Sequence, residues 1–154
     1  MDKIEKKRAC LLGLPIDVTT LEVVKNSLLE ADTSQQVITI NPEMVTKAYK
    51  DKELSELIKS MEWVIPDGIG VVMALKMIGV KTQRIPGIEL AYSLLQEAND
   101  KGLKVAFIGA DEDTISEATN KTVSFGLLGL LVFAVARLFK RREPESPNCV
   151  VLRI

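Results

Sequence analysis

The sequence predicts an α/β fold on three observations. Short apolar or β-branched runs alternate with stretches of helical spacing across residues 9–120, the pattern of strands joined by crossover helices. The turns that follow the runs hold Asn41-Pro42, Pro66-Asp67-Gly68 and Gly109-Ala110-Asp111, residue types that cap helices or ease tight bends. The chain has 154 residues, enough for one domain with a proper core and too few for two comfortable ones. The expectation is a Rossmann-like, mostly parallel sheet with flanking helices and right-handed crossovers.

Ala9 to Leu12 reads as the first strand, Gly13 to Asp17 as a turn, and Thr20 to Ala31 as a helix with Leu21, Val24, Leu28 and Leu29 at helical spacing. Gln36 to Ile40 is a β-branched strand. Asn41 then offers an N-cap and Pro42 a first helical residue, opening a helix to about Tyr49. Asp51 caps the next helix, whose Leu54, Leu57 and Ile58 form an apolar stripe. Trp63 to Ile65 is the third strand, and Ile69 to Ile78 a helix closed by Gly79. After the polar loop Lys81 to Gly87, helical spacing runs from Ile88 to Lys101 and stops at Gly102. Lys104 to Ile108 is the fourth strand, followed by a helix from Glu112 to about Asn120 capped by Asp111.

The composition changes after Asn120. Thr122 to Ala136 carries no charge, and a helix over 122–139 would span roughly 27 Å at 1.5 Å per residue, slightly under a bilayer core of about 30 Å. The expected organisation is therefore an α/β domain over 1–120, a C-terminal hydrophobic helix over 121–142, and a disordered tail over 143–154 carrying Pro144 and Pro147. The helix would span the bilayer, lie at its interface or be buried, with Lys140-Arg141-Arg142 at the headgroups or simply solvated. The charged N-terminus lacks a signal-peptide core, so a tail anchor or an interfacial helix keeps the domain inside.

Several chemistries are excluded. No histidine occurs, which removes Ser-His-Asp and Cys-His catalysis and the usual zinc sites; no metal site is expected, and a general base must be Asp, Glu, Lys or Tyr. Lys+Arg 20 against Asp+Glu 21 gives a net charge of -1, so no global field recruits nucleic acid. Cys10 and Cys149 form no framework, consistent with a reducing cytoplasm.

Ligands of open parallel sheets bind outside the carboxyl ends of the strands. Asp67 sits there, in Pro66-Asp67-Gly68-Ile69-Gly70, where its plain structural role would be to cap the following helix. Thr39 and Asn41 follow the second strand, Gly109 and Asp111 the fourth, and Arg84 lies on a loop within reach. Together they offer a carboxylate base, a hydroxyl and amide for sugar or phosphate oxygens, and a guanidinium for phosphate charge. That is glycosyl or phosphate-ester chemistry in outline. Asn41 and Asp111 would serve equally as helix caps, and Arg84 as a solvated loop residue. A nucleotide-binding oxidoreductase is disfavoured because Gly109-Ala110-Asp111 lacks the GxGxxG turn.

Thr39-Ile40-Asn41-Pro42-Glu43-Met44, Pro66-Asp67-Gly68-Ile69-Gly70 and Arg84-Ile85-Pro86-Gly87, in that order, resemble the bacterial WecG/TagA/CpsF glycosyltransferase family over about Ala9 to Asn120. The resemblance implies transfer of N-acetylmannosamine or a related sugar from a UDP-sugar donor to a polyprenyl-diphosphate-linked N-acetylglucosamine acceptor, in teichoic acid, cell-wall or surface-polysaccharide synthesis. It implies an inverting displacement without a cofactor, with Asp67 as base, Thr39 and Asn41 lining the pocket, Arg84 countering a diphosphate, and Gly109 and Asp111 near the donor. It places the protein at the cytoplasmic face of the cell membrane, held there through 122–142, and allows a homo-oligomer. After Asn120 the sequence offers no counterpart to the family's further strands and helices, so a truncated domain is expected. The alternative is a non-catalytic, membrane-tethered α/β binding fragment.

Overall fold

The computed structural model describes residues 7–108, 117, 132–135 and 149–153. Its contacts divide the chain into two units, Met1–Leu90 and Ala91–Ile154. The described residues are a mixture of helices and small sheets, an α/β arrangement. They form three separate sheets rather than the expected single one.

The first unit opens with a hairpin, β1 (Arg8–Leu11) antiparallel to β2 (Leu14–Asp17), with Leu11 opposite Leu14. Leu12 and Gly13 both have positive φ, 50° and 83°, the signature of the tight two-residue turn that matches strand twist. The turn expected over Gly13 to Asp17 is thus a strand after its first residue. Pro15, which reads as a breaker, is tolerated because both strands of an isolated hairpin are edges and need not donate on both sides.

Helix α1 (Leu21–Glu30) is capped by Thr20, whose hydroxyl accepts from the Val23 amide at 3.4 Å. Strand β3 (Val37–Ile40) then leads to α2 (Pro42–Lys50) and α3 (Lys52–Lys59) before β4 (Trp63–Pro66) returns parallel to β3. Asn41 Oδ1 accepts from the Met44 amide at 2.9 Å and Asp51 Oδ1 from the Leu54 amide at 3.0 Å. Both expected caps are present, each satisfying an amide that the helix leaves without a partner. Asn41→Ala should therefore destabilise the fold by about 1 kcal/mol, read as a lower urea midpoint at unchanged m-value.

Side chains from these elements converge on one core. Leu14, Ile16, Ile40, Ile58, Val64 and Leu75 are almost wholly inaccessible and belong to a single cluster. All four residues of β4 are buried, as expected for a strand covered on both faces.

Helix α4 (Ile69–Met77) starts from Gly68 as N-cap with no side-chain cap bond, so Asp67 is not the cap. Gly79, at φ 83°, closes the helix, with the Val80 amide donating to the Leu75 carbonyl at 2.9 Å in a C-terminal glycine motif. Helix α5 (Gly87–Asp100) ends in the same way: Gly102 has φ 62° and the Leu103 amide donates to Ala98 at 2.7 Å.

In the second unit β5 (Lys104–Ile108) is the central strand of a parallel three-stranded sheet, flanked by β6 (Val132–Val135) and β7 (Cys149–Arg153). Val105 stands opposite Val132 on one side and Val150 on the other. Two expectations are corrected. Val132–Val135 is a strand inside the stretch read as a hydrophobic helix, and Cys149–Arg153 is a strand inside the stretch read as a disordered tail. A short apolar run cannot be told from a buried helix segment by periodicity alone. The remainder of 121–142, and the helix expected over 112–120 apart from the helical residue Glu117, lie outside the described residues. Among the described residues no helix is long and apolar enough to cross a membrane.

Candidate active site

The register of β3 and β4 builds the site. Ile40 stands opposite Pro66, so the next residues of the two strands, Asn41 and Asp67, leave the pair side by side. The Asp67 amide donates to the Ile40 carbonyl at 3.0 Å. This bond continues the ladder one step past the strand ends and fixes the Asp67 backbone.

A third segment is then laid beside them. Ile85 is fully buried, and its amide donates to the Pro66 carbonyl at 2.8 Å. This anchorage holds Arg84 over the Asp67 turn. The Arg84 Nε donates to the Asp67 carbonyl, and its Nη2 lies 3.5 Å from Asp67 Oδ1. The other carboxylate oxygen, Oδ2, accepts from the Gly87 amide at 3.3 Å. Asp67 is thus oriented through both oxygens, yet its side chain remains 32% exposed and that of Arg84 53%. A hydroxyl can reach the carboxylate from solvent. A guanidinium also has more N–H donors than the two that meet Asp67, so Arg84 can face an anion while holding the carboxylate.

Glycines allow the three segments to approach so closely. A Cβ on Gly68 would come within 2.7 Å of Pro42 Cδ, one on Gly70 within 2.7 Å of Pro42 Cγ, and one on Gly87 within 2.7 Å of Thr39 Cγ2. Thr39 and Pro42 are therefore packed directly against the glycines of the other two motifs. Gly70→Ala provides a test with a sign. In a helix the change is ordinarily favourable by nearly 1 kcal/mol, but against the rigid Pro42 ring it should destabilise by about 1–2 kcal/mol. The double variant with Pro42→Ala should recover most of that loss in a thermal or urea double-mutant cycle.

Of the residues singled out from the sequence, Thr39, Asn41, Asp67 and Arg84 come together around the ends of β3 and β4. Asn41 Oδ1 is occupied as a helix cap. Gly109 and Asp111 lie outside the described residues. Gly87 and Ile85 belong to the motifs but have no site role legible in the sequence, and Pro42 only that of a first helical residue. Their contributions, an amide for Asp67, a buried anchor and a packing plate, depend on contacts between segments that no local signal displays. An open depression of about 420 Å³, lined by Pro42, Glu43, Thr46, Lys47 and Lys50, lies along α2. It shares only Pro42 with the constellation, so the convergence of the motifs, not this concavity, defines the site. No cluster of His, Cys, Asp and Glu able to hold a metal occurs among the described residues.

The family described as "Glycosyl transferase WecG/TagA/CpsF family" matches residues 9–143. The chain belongs to this family. The match runs past Asn120, where the resemblance was expected to end, so the uncharged stretch with β6 falls inside the family region. Curated relatives carry the name N-acetylglucosaminyldiphosphoundecaprenol N-acetyl-beta-D-mannosaminyltransferase. The one from Bacillus spizizenii is 34% identical over 99 residues, 64% of this chain and 38% of that protein. Those from Bacillus subtilis and Staphylococcus aureus are 30% and 32% identical, over 68% and 70% of this chain and 41% and 45% of theirs. The chain spans less than half the length of these relatives.

Proposed function

We propose that this WecG/TagA/CpsF family chain transfers N-acetylmannosamine, or a closely related sugar, from a UDP-sugar to a polyprenyl-diphosphate-linked N-acetylglucosamine. The product would enter teichoic acid or another surface polysaccharide. What carries the reading is the Asp67 carboxylate, oriented by Arg84 and the Gly87 amide at the meeting point of three motifs, together with the names of the relatives.

In the proposed reaction Asp67 takes the proton from the attacking hydroxyl of the acceptor sugar as its oxygen bonds to the anomeric carbon. The bond from that carbon to the UDP oxygen breaks, UDP leaves with the electron pair, and configuration inverts. Arg84 offers a guanidinium to a diphosphate, either that of the leaving UDP or that of the lipid-linked acceptor. Thr39 and Asn41 line the approach. No cofactor or metal is required, because the base and the cation are side chains. The reaction takes place at the cytoplasmic face of the cell membrane, where the donor is soluble and the acceptor is embedded.

The test is UDP release from UDP-N-acetylmannosamine in the presence of a prenyl-diphosphate-linked N-acetylglucosamine. Release that requires both substrates is expected. Its absence, with the protein folded and both substrates intact, favours the reading of a non-catalytic binding fragment.

A further inference from the structure

The amide that meets Asp67 Oδ2 is the first of a helix. The Pro86 carbonyl accepts from both the Glu89 and the Leu90 amides at 3.1 Å, so Pro86 stands as the N-cap of α5 and Gly87 as its first residue. The Gly87 amide therefore has no acceptor within its own helix, and Asp67, 20 residues earlier, supplies one. The positive end of a helix also favours an anion at this place. Asp67 thus caps not the helix it precedes but the next one, from another segment.

The backbone at residue 87 does not itself require glycine. Among the described residues the glycines of positive φ are Gly13, Gly79 and Gly102, so at Gly87 the demand is for space. A Cβ there would meet the Thr39 methyl carbon, Cγ2, at 2.7 Å and Thr39 Oγ1 at 3.3 Å. Ile85, buried and bonded to the Pro66 carbonyl, holds the same segment along β4. The Gly87 amide is therefore set against both strands whose ends carry the candidate site, by Thr39 on β3 and by Pro66 on β4.

We infer that Gly87 is a positioning residue for the proposed base: its amide, seated by Thr39, fixes Asp67 Oδ2 and leaves Oδ1 to receive the proton. The inference rests on the proposed function for the reaction, but not for the contact itself. Oδ1 is met by Arg84 Nη2 at 3.5 Å, the outer limit of a hydrogen bond. As the acceptor's O–H bond breaks, its proton passes to Oδ1, its oxygen bonds to the anomeric carbon, and UDP leaves with the electron pair. A carboxylate tethered through its other oxygen needs no reorientation at that moment, and misplacement of a reacting group by 1 Å costs up to about 10²-fold in rate. Proline separates this role from plain capping of α5. It is favoured at the first helical position, where it has no N–H to satisfy, so a bond that served only the helix would become dispensable.

The experiment compares Gly87→Ala/Thr39→Ser with Gly87→Pro/Thr39→Ser in the full chain. Serine removes the methyl that either new Cβ would strike and keeps the hydroxyl; of the two variants, the proline one alone lacks the donor. With UDP-N-acetylmannosamine and prenyl-diphosphate-linked N-acetylglucosamine, the proline variant should have a kcat about 10- to 100-fold below that of the alanine variant, with KM values within about twofold and similar unfolding temperatures. Equal kcat values overturn the inference and leave the contact a cap of α5. A loss confined to KM overturns it too, by making the contact part of substrate binding. The contact is also read without turnover. In the chain labelled with 15N-glycine, the Gly87 amide is the signal that disappears in Gly87→Ala/Thr39→Ser, and it should exchange with deuterium about tenfold more slowly in the parent than in Asp67→Ala. Asp67→Ser, whose hydroxyl is one bond too short to reach, takes the place of Asp67→Ala if the latter does not fold. Equal exchange in parent and variant overturns the inference. If no protein turns over, the functional reading fails, while exchange still decides whether Gly87 holds the carboxylate; exchange decides likewise if the proline variant does not fold.

Discussion

Asp17→Ala is expected to lower the free energy of unfolding by about 3 kcal/mol, the largest stability loss from a single polar residue in the first unit. Asp17 is wholly buried at the end of β2. Its Oδ1 lies 2.8 Å from Arg8 Nε, and its Oδ2 accepts from the Val64 amide at 2.6 Å. The Arg8 Nη2 donates in turn to the Met61 and Glu62 carbonyls at 3.0 and 2.6 Å. The carboxylate thus clasps the hairpin to β4. Truncation strands the Val64 donor in the core and leaves a cation without its counter-charge, both costly. The Arg8 side chain is 32% exposed, so water recovers part of the loss and the estimate sits at the low end for a broken buried pair. Asp17→Asn keeps one acceptor and should lose about half as much. Urea unfolding monitored by the single tryptophan, buried Trp63, reads both. A change below about 0.5 kcal/mol, the range of ordinary surface substitutions, would show that the clasp contributes little.

Asp67→Asn should reduce kcat about 10²–10⁴-fold, the usual contribution of a positioned general base. The substitution isolates basicity well because an amide has nearly the same shape. Asn Oδ1 can still accept from the Gly87 amide, and Arg84 can still donate to the residue 67 carbonyl, since that bond is to the backbone. Thermal unfolding should therefore stay close to that of the parent, and donor affinity measured by calorimetry should change little. A loss of affinity comparable to the loss of rate would instead make Asp67 a binding residue.

Local chemistry made much of the first unit legible in the sequence. Asn41-Pro42 and Asp51 announced helix starts because capping needs only a short acceptor and a few neighbouring amides. Gly79, and in the second unit Gly102, announced helix ends because their positive φ suits glycine. Strand β2 was obscured because Gly13 and Pro15 both read as punctuation. The informative feature was a two-residue turn between alternating apolar positions, Ala9 to Leu11 and Leu14 to Ile16. Strands β6 and β7 depend on pairing with β5 across long stretches of chain. In isolation Val132-Phe133-Ala134-Val135 is only an apolar run and Cys149-Val150-Val151 a short one in a polar end.

The candidate site was legible as a set of neighbouring residues but not as a geometry. Thr39, Asn41, Asp67 and Arg84 could be placed at strand ends and on an adjoining loop from the alternation of elements. What the sequence concealed is how Asp67 is used: not to cap α4, as its position before a helix indicates, but turned toward Arg84 and Gly87. That choice follows from the buried anchor at Ile85 and from the close fit of Pro42 on Gly68 and Gly70. These contacts exist only after β3 and β4 pair in their particular register.

The central claim is that the Asp67 carboxylate accepts the proton of the acceptor hydroxyl, and product formation tests it most directly. Parent and Asp67→Asn proteins would be incubated under the same conditions with UDP-N-acetylmannosamine and prenyl-diphosphate-linked N-acetylglucosamine, and the lipid-linked disaccharide quantified by mass spectrometry. The account predicts disaccharide with one UDP released per sugar transferred by the parent, and at least 10²-fold slower formation by the variant, within the range for losing a general base. Disaccharide formed by Asp67→Asn at the parental rate would contradict it.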